Sequence, residues 1–372
     1  MISVFGSLVD DQEIEKVIQT MKSQWMGFGK TVDEFEEKYT KQYNLKSFAM
    51  VDSGSNALYM AVKLLNLPPK SEVILPSFTW VSCAQAIILN DLKPIFCDVN
   101  IETMNVTAEM IKPFISKKTS AIMIVHYAGL AVDMDPIIDL GFPIIEDAAH
   151  AIASTYKGIP CGNISDIGIY SFDAVKNLTV GEGGGITSKY YELIDKAKIL
   201  RYCGIGKSGF DKAAENADNN SLWWEYNISD TFIKMLPTNL SASIGIAQLD
   251  KIDNLQNRRK EIWDRYQLAF KNSDIKNPID CQIDDNHSYF TYCIRVKKRD
   301  ELAKFLLKNK VYTTLRYHPL HLNKIFNQTK VKLVNSEVLN KEALSIPLHP
   351  RLSDQDIEYV ISLIKKFLGE IH

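Results

Sequence analysis

The first half of the chain alternates short apolar segments with amphipathic helical patterns. The apolar segments lie at residues 71–79, 93–99, 120–129, 142–148 and 166–173. Helical patterns lie at residues 55–66 and 107–117. Most of the apolar segments are almost continuous, which is typical of strands buried on both faces of a largely parallel sheet. The alternation of strand and helix therefore predicts a doubly wound α/β domain.

The pattern changes in the second half of the chain. Residues 206–222 are polar and contain few large apolar side chains, which predicts an exposed loop. A long helical pattern follows at residues 241–272, and we expect this helix to lead from a large domain, residues 1–245, into a small α+β domain, residues 246–372. The small domain has predicted strands at residues 291–297 and 311–317 and predicted helices at residues 301–310 and 356–368.

Composition and charge exclude several classes of protein. The 372 residues carry a net charge of −2, and no basic run provides the positive surface expected for binding to nucleic acid or to a membrane. No apolar run approaches the roughly 18 residues that a membrane-spanning helix needs, and the N-terminus lacks a secretory signal pattern. The six cysteines form no CxxC pair, which favours buried, reduced thiols. We therefore expect a cytoplasmic protein.

Polar residues that follow strands are candidates for a site, because ligands of open α/β sheets bind beyond the carboxyl ends of the strands. Asp147 ends a predicted strand, where a buried carboxylate is costly unless it meets a cation. The protonated ring nitrogen of pyridoxal phosphate (PLP) would be such a cation, and a helix cap or a salt bridge is the alternative. Lys176 follows another strand. A desolvated lysine there could bond to the aldehyde of PLP, and an ordinary surface lysine is the alternative.

Two further features fit a cofactor with a phosphate and a flat ring. Ser53, Gly54, Ser55 and Asn56 lie where a strand-like run gives way to a helix, so they form either a phosphate site or an ordinary helix cap. Trp80 follows a predicted strand and would either stack on a flat cofactor or pack in the core. Other schemes fit less well, since GEGGG does not match GxGxxG, and the sequence has no GxxxxGK[ST], GxSxG or metal-binding HExxH pattern.

Several longer motifs occur in a fixed order along almost the entire chain. They include WMGFGKTVDEFEEKY, VDSGSNAL, EVILPSFTWVSCAQAI, IIEDAAHAIAS, YSFDAVKNLTVGEGGG and RYHPLHL. Their combination resembles the DegT/DnrJ/StrS family of sugar aminotransferases, which are PLP enzymes of fold type I, the aspartate-aminotransferase-like class. The resemblance implies a large domain with a mostly parallel sheet and a small C-terminal α+β domain.

The resemblance also implies roles for individual residues. Lys176 matches the lysine that forms a Schiff base with PLP and moves protons, and Asp147 matches the acid that pairs with the ring nitrogen. Trp80 matches the aromatic residue that stacks on the ring. His150 stands where many members have a glutamine that hydrogen-bonds near the 3-hydroxyl group, although some members have histidine. The glycines of residues 181–185 would let the backbone pass close to the cofactor.

Phosphate binding follows the family pattern only in part. Ser55, Asn56 and Ser171 match positions that contact the phosphate of PLP. Many members also have a segment such as NYRMT, whose asparagine reaches the phosphate of the partner subunit. This chain has FIKMLPT instead, and Lys234 is either the substitute for that asparagine or a surface lysine. The resemblance implies a homodimer with its sites at the subunit boundary.

The implied reaction moves an amino group from L-glutamate, through the pyridoxamine phosphate (PMP) form of the cofactor, to a nucleotide-linked keto sugar. A 4-keto-6-deoxyhexose is favoured over a 3-keto sugar, and the product would enter bacterial surface glycans, such as the lipopolysaccharide O-antigen, or amino-sugar biosynthesis. Arg316 and His321 match positions near the sugar nucleotide, or they make turn and cap contacts. The alternatives are a cyclitol-ketone aminotransferase, a PMP-dependent sugar dehydratase, which would have histidine in place of Lys176, and a non-catalytic sensor or regulatory protein.

Overall fold

The structure, a computed structural model, describes residues 1–206 and 226–370. The exposed loop predicted at residues 206–222 lies outside these ranges except for its first residue. The helices of the described ranges are α1 (Asp11–Lys22), α2 (Lys30–Gln42), α3 (Gly54–Leu64), α4 (Val81–Leu89), α5 (Ala108–Ile111), α6 (Asp135–Ile138), α7 (Tyr191–Leu200), α8 (Asn239–Ala269), α9 (Arg299–Lys308), α10 (Val334–Glu342) and α11 (Asp354–Leu368). Among them, no helix combines the length and the apolar character needed to cross a membrane. The cytoplasmic location stays a prediction.

The strands form one large sheet and two small pairs. They are β1 (Phe48–Val51), β2 (Glu72–Pro76), β3 (Lys93–Cys97), β4 (Thr119–Val125), β5 (Ile144–Asp147), β6 (Thr155–Tyr156), β7 (Ile159–Pro160), β8 (Ile167–Ser171), β9 (Gly184–Ser188), β10 (Tyr292–Arg295) and β11 (Ala343–Ile346). The large sheet has the order β1-β9-β8-β5-β4-β2-β3. Strands β8, β5, β4, β2 and β3 run parallel, and β9 is antiparallel to both of its neighbours. The mostly parallel sheet expected from the sequence is confirmed.

Both faces of the central strands are buried. In β2, Val73 and Leu75 pack with α3, α4 and α7, whereas Ile74 lies between them in sequence and packs on the opposite face with α5 and α6. In β4, Met123 and Ile122 divide between the two faces in the same way. Because successive side chains of a strand point to opposite faces, burial of both faces explains the almost continuous apolar segments.

The glycine run after Lys176 continues into β9, a strand that the sequence analysis did not predict. A Cβ atom at Gly184 would lie 2.4 Å from the carbonyl oxygen of Ser53, and one at Gly185 would lie 2.3 Å from the ring of Phe48. Glycine at these positions therefore lets β9 pair between β1 and β8 while it touches the turn that leads into α3. The clearance at these two positions serves packing within the protein itself.

The long helix α8 passes through two hydrophobic clusters. Leu249 packs with α2, whereas Trp263 and Tyr266 lie in the core formed with β10, β11 and α11. Thr238 caps the N-terminus of α8, since its hydroxyl accepts a hydrogen bond from the N–H of Ser241 at 3.0 Å. The expected small α+β arrangement is confirmed. The predicted boundary at residues 245 and 246 falls within α8, and the division there stays a prediction.

Two local predictions were wrong. The segment 311–317 is not a strand, because only Val311 and Thr314 form isolated bridges, and β10 pairs instead with β11. The helix predicted at residues 107–117 ends early as α5 and continues as a single 3-10 turn. Pro113 lies in that turn, and its missing N–H removes a hydrogen bond that a longer α-helix would need.

Candidate active site

A pocket of about 350 Å³ lies beyond the carboxyl end of β8, beside the N-termini of α3 and α4. Residues 314–317 of the C-terminal part form another of its walls. Its lining includes Ser55, Trp80, Ser171, Lys176, Arg316 and Tyr317. All of these except Tyr317 were predicted from the sequence, so folding brings the predicted residues together where ligands of open α/β sheets bind.

Lys176 is partly buried in the turn that follows β8. Its Nζ lies 4.9 Å from the centre of the Phe290 ring. Burial, and next the positive charge of Arg316, lowers the pKa of Lys176 to about 8. More of this lysine is therefore neutral near pH 7 than is the case for a surface lysine, and the neutral amine is the form that attacks a carbonyl group.

Asp147, the last residue of β5, is buried, with 4 % of its surface exposed. Its Oδ1 accepts a hydrogen bond from the backbone N–H of Ala149 at 3.0 Å, and its Oδ2 accepts one from the thiol of Cys83 at 3.1 Å. Both donors are neutral, and no basic side chain of the described residues forms an ion pair with this carboxylate. A buried carboxylate in this setting is suited to meet a cation from a bound group.

One end of the pocket consists of Ser53, Gly54, Ser55 and Ser171, which we call the phosphate seat. Ser53 caps α3, since its hydroxyl accepts the N–H of residue 56 at 3.2 Å, and Ser55 follows in the first turn. Gly54 permits the close approach of β8, because a Cβ atom there would lie 2.7 Å from the Cβ of Ser171. Hydroxyl groups around a helix N-terminus are suited to bind a phosphate.

Asn56 belongs to the same turn, but its side chain is not part of the pocket lining. The amide donates instead to Oδ1 of Asp52 at 2.8 Å. Ser82, from the first turn of α4, is the side chain that approaches the phosphate seat, with its Oγ 2.7 Å from that of Ser55. Contact between Asn56 and a phosphate stays a prediction.

Trp80 directly precedes α4, and 54 % of its surface is exposed, so it is not a core tryptophan. The centre of its ring system lies 5.6 Å from that of Tyr317, and both side chains line the pocket with Lys176. An exposed flat surface at this position is suited to stack on the ring of a cofactor.

His150 is buried in the turn after β5, and its ring stacks on Phe290 with centres 4.1 Å apart. Its Nε2 lies 3.0 Å from the hydroxyl of Tyr317. Burial, followed by the charges of Lys176 and Arg316, holds the pKa of His150 well below its ordinary value, so the ring is neutral. The buried Nδ1 has no hydrogen-bond partner among the described residues, which leaves it available to a bound group.

Arg316 lines the pocket although only 7 % of its surface is exposed. Its guanidinium carbon lies 4.1 Å from the centre of the Phe5 ring and 4.9 Å from that of Phe290. One amino group donates to the hydroxyl of Tyr317 at 3.2 Å, and the buried Nε has no partner within the described part of the chain. A guanidinium held by aromatic rings with donors to spare is suited to bind an anionic substrate group.

Asp147 and His150 are buried and, like Asn56, are not part of the pocket lining, although His150 contacts the lining residue Tyr317. His321 and Lys234 also lie outside the lining. His321 is fully buried, and its Nδ1 lies 2.7 Å from the hydroxyl of Ser77 at the end of β2. This contact fixes the segment after Arg316 against the sheet, which matches the predicted alternative of a turn contact. Lys234 is exposed and lies outside the pocket lining. Its contact with a phosphate in a partner subunit stays a prediction.

Several residues of the site were not predicted from the sequence. Cys83 was interpreted as an ordinary buried thiol, and its contact with the acid of β5 depends on how α4 packs on the sheet. Phe5 and Phe290 are far from the pocket residues in sequence, and no motif marks them. Tyr317 could have been found, because it lies within the motif RYHPLHL beside Arg316.

The observed groups fit PLP at four points. Lys176 offers an amine with a lowered pKa, and Asp147 is a buried acid without a cation partner in the described chain. Trp80 offers an exposed aromatic face, and the phosphate seat offers hydroxyl groups at a helix N-terminus. The orphaned Nδ1 of His150 adds a polar contact. These are the contacts required by an aldehyde, a ring nitrogen, a flat ring and a phosphate.

Comparison with known proteins agrees with this fit. Residues 8–365 match the DegT/DnrJ/EryC1/StrS aminotransferase family. The dTDP-4-dehydro-2,3,6-trideoxy-D-glucose 4-aminotransferase of Saccharopolyspora spinosa is 31 % identical over 98 % of this chain and 96 % of its own length. The UDP-4-amino-4-deoxy-L-arabinose–oxoglutarate aminotransferase of Shewanella sediminis is 28 % identical over 97 % and 96 %. The PMP-form structure of Spr1654 from Streptococcus pneumoniae, described as a candidate sugar aminotransferase, superposes with a TM-score of 0.92 at 27 % identity over 100 % of both chains.

These similarities extend along almost the entire chain, so the fold and the enzyme class expected from the sequence are confirmed. Both of these relatives are named as aminotransferases, which argues against a sugar dehydratase and against a non-catalytic sensor. The cofactor is PLP, which alternates with PMP during amino transfer. The chain therefore belongs to the DegT/DnrJ/EryC1/StrS family of PLP-dependent sugar aminotransferases.

Proposed function

We propose that this enzyme transfers an amino group from L-glutamate to a nucleotide-linked 4-keto-6-deoxyhexose, with a nucleotide-linked 3-keto sugar as the second candidate. The observation that carries the proposal is the pocket in which Lys176, Trp80, Arg316 and the phosphate seat meet. Both relatives described above are named for amino groups at position 4 of a nucleotide-linked sugar. The name of the Shewanella relative also contains oxoglutarate, the keto acid that corresponds to glutamate.

Lys176 is the proposed acid–base group. PLP, when bound, supplies an electron sink for negative charge on the carbon next to the transferred nitrogen. In each half-reaction, the Nζ of Lys176 would take a proton from one carbon bonded to the transferred nitrogen and deliver it to the other, so the lysine ends each half-reaction with the protons with which it began. A pKa of about 8 suits this task, because an acid–base group works best when its pKa lies near the operating pH.

Asp147 and Arg316 have complementary proposed roles. Asp147 keeps a proton on the ring nitrogen through the lone pairs of its carboxylate, which are otherwise engaged only by neutral donors. Arg316 binds an anionic group of the substrate, since its guanidinium lines the pocket and its Nε has no partner among the described residues. His321 acts indirectly, by fastening the segment that follows Arg316 through its contact with Ser77.

We also propose a homodimer in which Lys234 reaches the phosphate seat of the partner subunit. The seat of one chain offers hydroxyl groups and backbone N–H groups, and the side chains that form it carry no positive charge. A cation at this position would stabilise a bound phosphate dianion. Lys234 is exposed and therefore free to reach another molecule.

The substrate is tested by a panel of acceptors offered with glutamate. The panel contains nucleotide-linked 4-keto and 3-keto sugars with dTDP, UDP and GDP, and a keto-cyclitol. We expect amine products, identified by mass, from a 4-keto-6-deoxyhexose linked to a nucleotide. Such a product would belong to bacterial surface-glycan or amino-sugar biosynthesis. Turnover of the keto-cyclitol alone would contradict the proposed substrate class.

A further inference from the structure

The first turn of α4 touches three separate parts of the cofactor site. Trp80, which precedes the helix, provides the exposed aromatic face. Ser82 lies with its Oγ 2.7 Å from that of Ser55 in the phosphate seat. Cys83 donates its thiol hydrogen to Oδ2 of Asp147 at 3.1 Å. The residues at the start of α4 therefore supply the aromatic face and contact both the phosphate seat and Asp147.

The thiol of Cys83 is held in a defined environment. The side chain is fully buried, and burial, followed by the charge of Asp147, raises the pKa of Cys83 well above its ordinary value. The thiol is therefore protonated and acts as a donor to the carboxylate. The hydroxyl of Thr79 lies 3.3 Å from the sulfur, and it is the donor of that second contact because the thiol hydrogen is already engaged.

We propose that Cys83 is a positioning residue. Its hydrogen bond orients the carboxylate of Asp147 towards the ring nitrogen of the cofactor. The inference rests on the role proposed for Asp147. The carboxylate is held at both oxygens, at Oδ1 by the backbone of Ala149 and at Oδ2 by Cys83, so its plane cannot turn freely. Without the thiol, only the contact at Oδ1 remains.

A thiol is suited to this position because it is a weak donor. A carboxylate oxygen has lone pairs for more than one donor, so Oδ2 can accept the thiol and a charged N–H together. The contact with a charged donor is the stronger of the two. Cys83 can therefore fix the direction of the carboxylate while it competes little with a ring nitrogen.

The contact itself is tested on the protein without cofactor by infrared spectroscopy of the S–H stretching band, which moves to lower frequency when a thiol donates a hydrogen bond. We expect a shifted band that is lost in Cys83→Ala and moves back towards the free-thiol frequency in Asp147→Asn. Cys97→Ala is the matched control, because Cys97 is an equally buried free thiol on β3. A Cys83 band that does not respond to Asp147→Asn would overturn the proposal.

The functional consequence is tested on the PLP-loaded enzyme. Loss of one hydrogen bond predicts that Cys83→Ala lowers kcat by about 3- to 10-fold, with an unchanged KM for glutamate. Cys83→Ser, which retains a donor, should recover most of the lost kcat, and Cys97→Ala should match the wild type. Equal kcat in Cys83→Ala and Cys97→Ala would overturn the positioning role. The proposed function has a different failure, namely absence of transamination in the wild type.

Discussion

Arg316 and Lys176 line the same pocket, and the charge of the arginine is, after burial, a cause of the low pKa of the lysine. The effect of Arg316 on the pKa of Lys176 could not be predicted from the sequence, because the whole of α8 and part of the C-terminal core separate the two residues along the chain. The lysine itself was predictable from its motif. Its altered pKa follows only from the burial and the charge that folding brings to it.

We predict that Arg316→Gln raises the pKa of Lys176. The substitution removes one cause of the lowered pKa while burial remains, so the new pKa lies above about 8 and still below that of a free lysine. Each unit of increase lowers the neutral fraction about tenfold at neutral pH. The rate at which the apoenzyme captures PLP should therefore reach its half-maximum at a higher pH.

Arg316→Lys is the matched control for this experiment. It retains a positive charge near the pocket, so its pH profile should shift less than that of Arg316→Gln. PLP capture is the appropriate readout, because it does not require Arg316 to bind a substrate. An unchanged pH profile in Arg316→Gln would show that the arginine does not influence the lysine.

Among the elements, the strands of the parallel sheet were predictable and β9 was not. The strands β2 to β5 and β8 can be recognised in the sequence as almost continuous apolar segments, because both faces of each strand are buried. β9 begins with two glycines, which disfavour a strand on propensity alone and are required here by the nearby Ser53 and Phe48. Close packing between elements overrides local propensity at this place.

We predict that Gly184→Ala damages the phosphate seat. The new Cβ would lie 2.4 Å from the carbonyl oxygen of Ser53, so β9 or the N-terminus of α3 must move. Overpacking of this kind costs about 1–3 kcal/mol in the free energy of unfolding, which urea titration measures. The Kd for PLP should rise as well, because the displaced turn carries the seat.

Gly27→Ala provides the control, since a Cβ atom there would meet no atom within 4 Å. We expect its free energy of unfolding and its Kd for PLP to remain close to those of the wild type. If Gly184→Ala behaved in the same way as Gly27→Ala, the packing described for β9 would be incorrect.

In the whole molecule, the pocket collects residues from parts of the chain that are remote in sequence. Phe5 comes from the N-terminal segment, and Arg316 comes from the C-terminal part, together with Phe290, whose ring packs on Arg316 without lining the pocket. The phosphate seat comes from the turn between β1 and α3 and from the end of β8. The family motifs revealed the residues of the large sheet. Phe5 and Phe290, whose rings pack on Arg316, lie in no motif and were found only in the folded structure.

The proposed contact of Lys234 with the phosphate seat of the partner subunit can be tested with a heterodimer of Lys176→Ala and Lys234→Ala chains. If Lys234 acts in the partner subunit, one site of this heterodimer has both lysines and the other has neither. The intact site should then bind PLP with the Kd of the wild type. The Lys234→Ala homodimer should bind PLP more weakly than the wild type, and an unchanged Kd there would show that Lys234 has no part in binding. If Lys234 acts within its own chain, the working site of the heterodimer would have the weakened Kd of that homodimer.

The central claim is that Lys176 is the lysine to which the cofactor is bound. Its most direct test is reduction of the PLP-loaded protein with borohydride, followed by digestion and mass analysis of the peptides. We predict a single modified peptide that carries the reduced cofactor on Lys176, and no modification in Lys176→Ala. A cofactor found on another lysine, or a protein that takes up no PLP, would contradict the account.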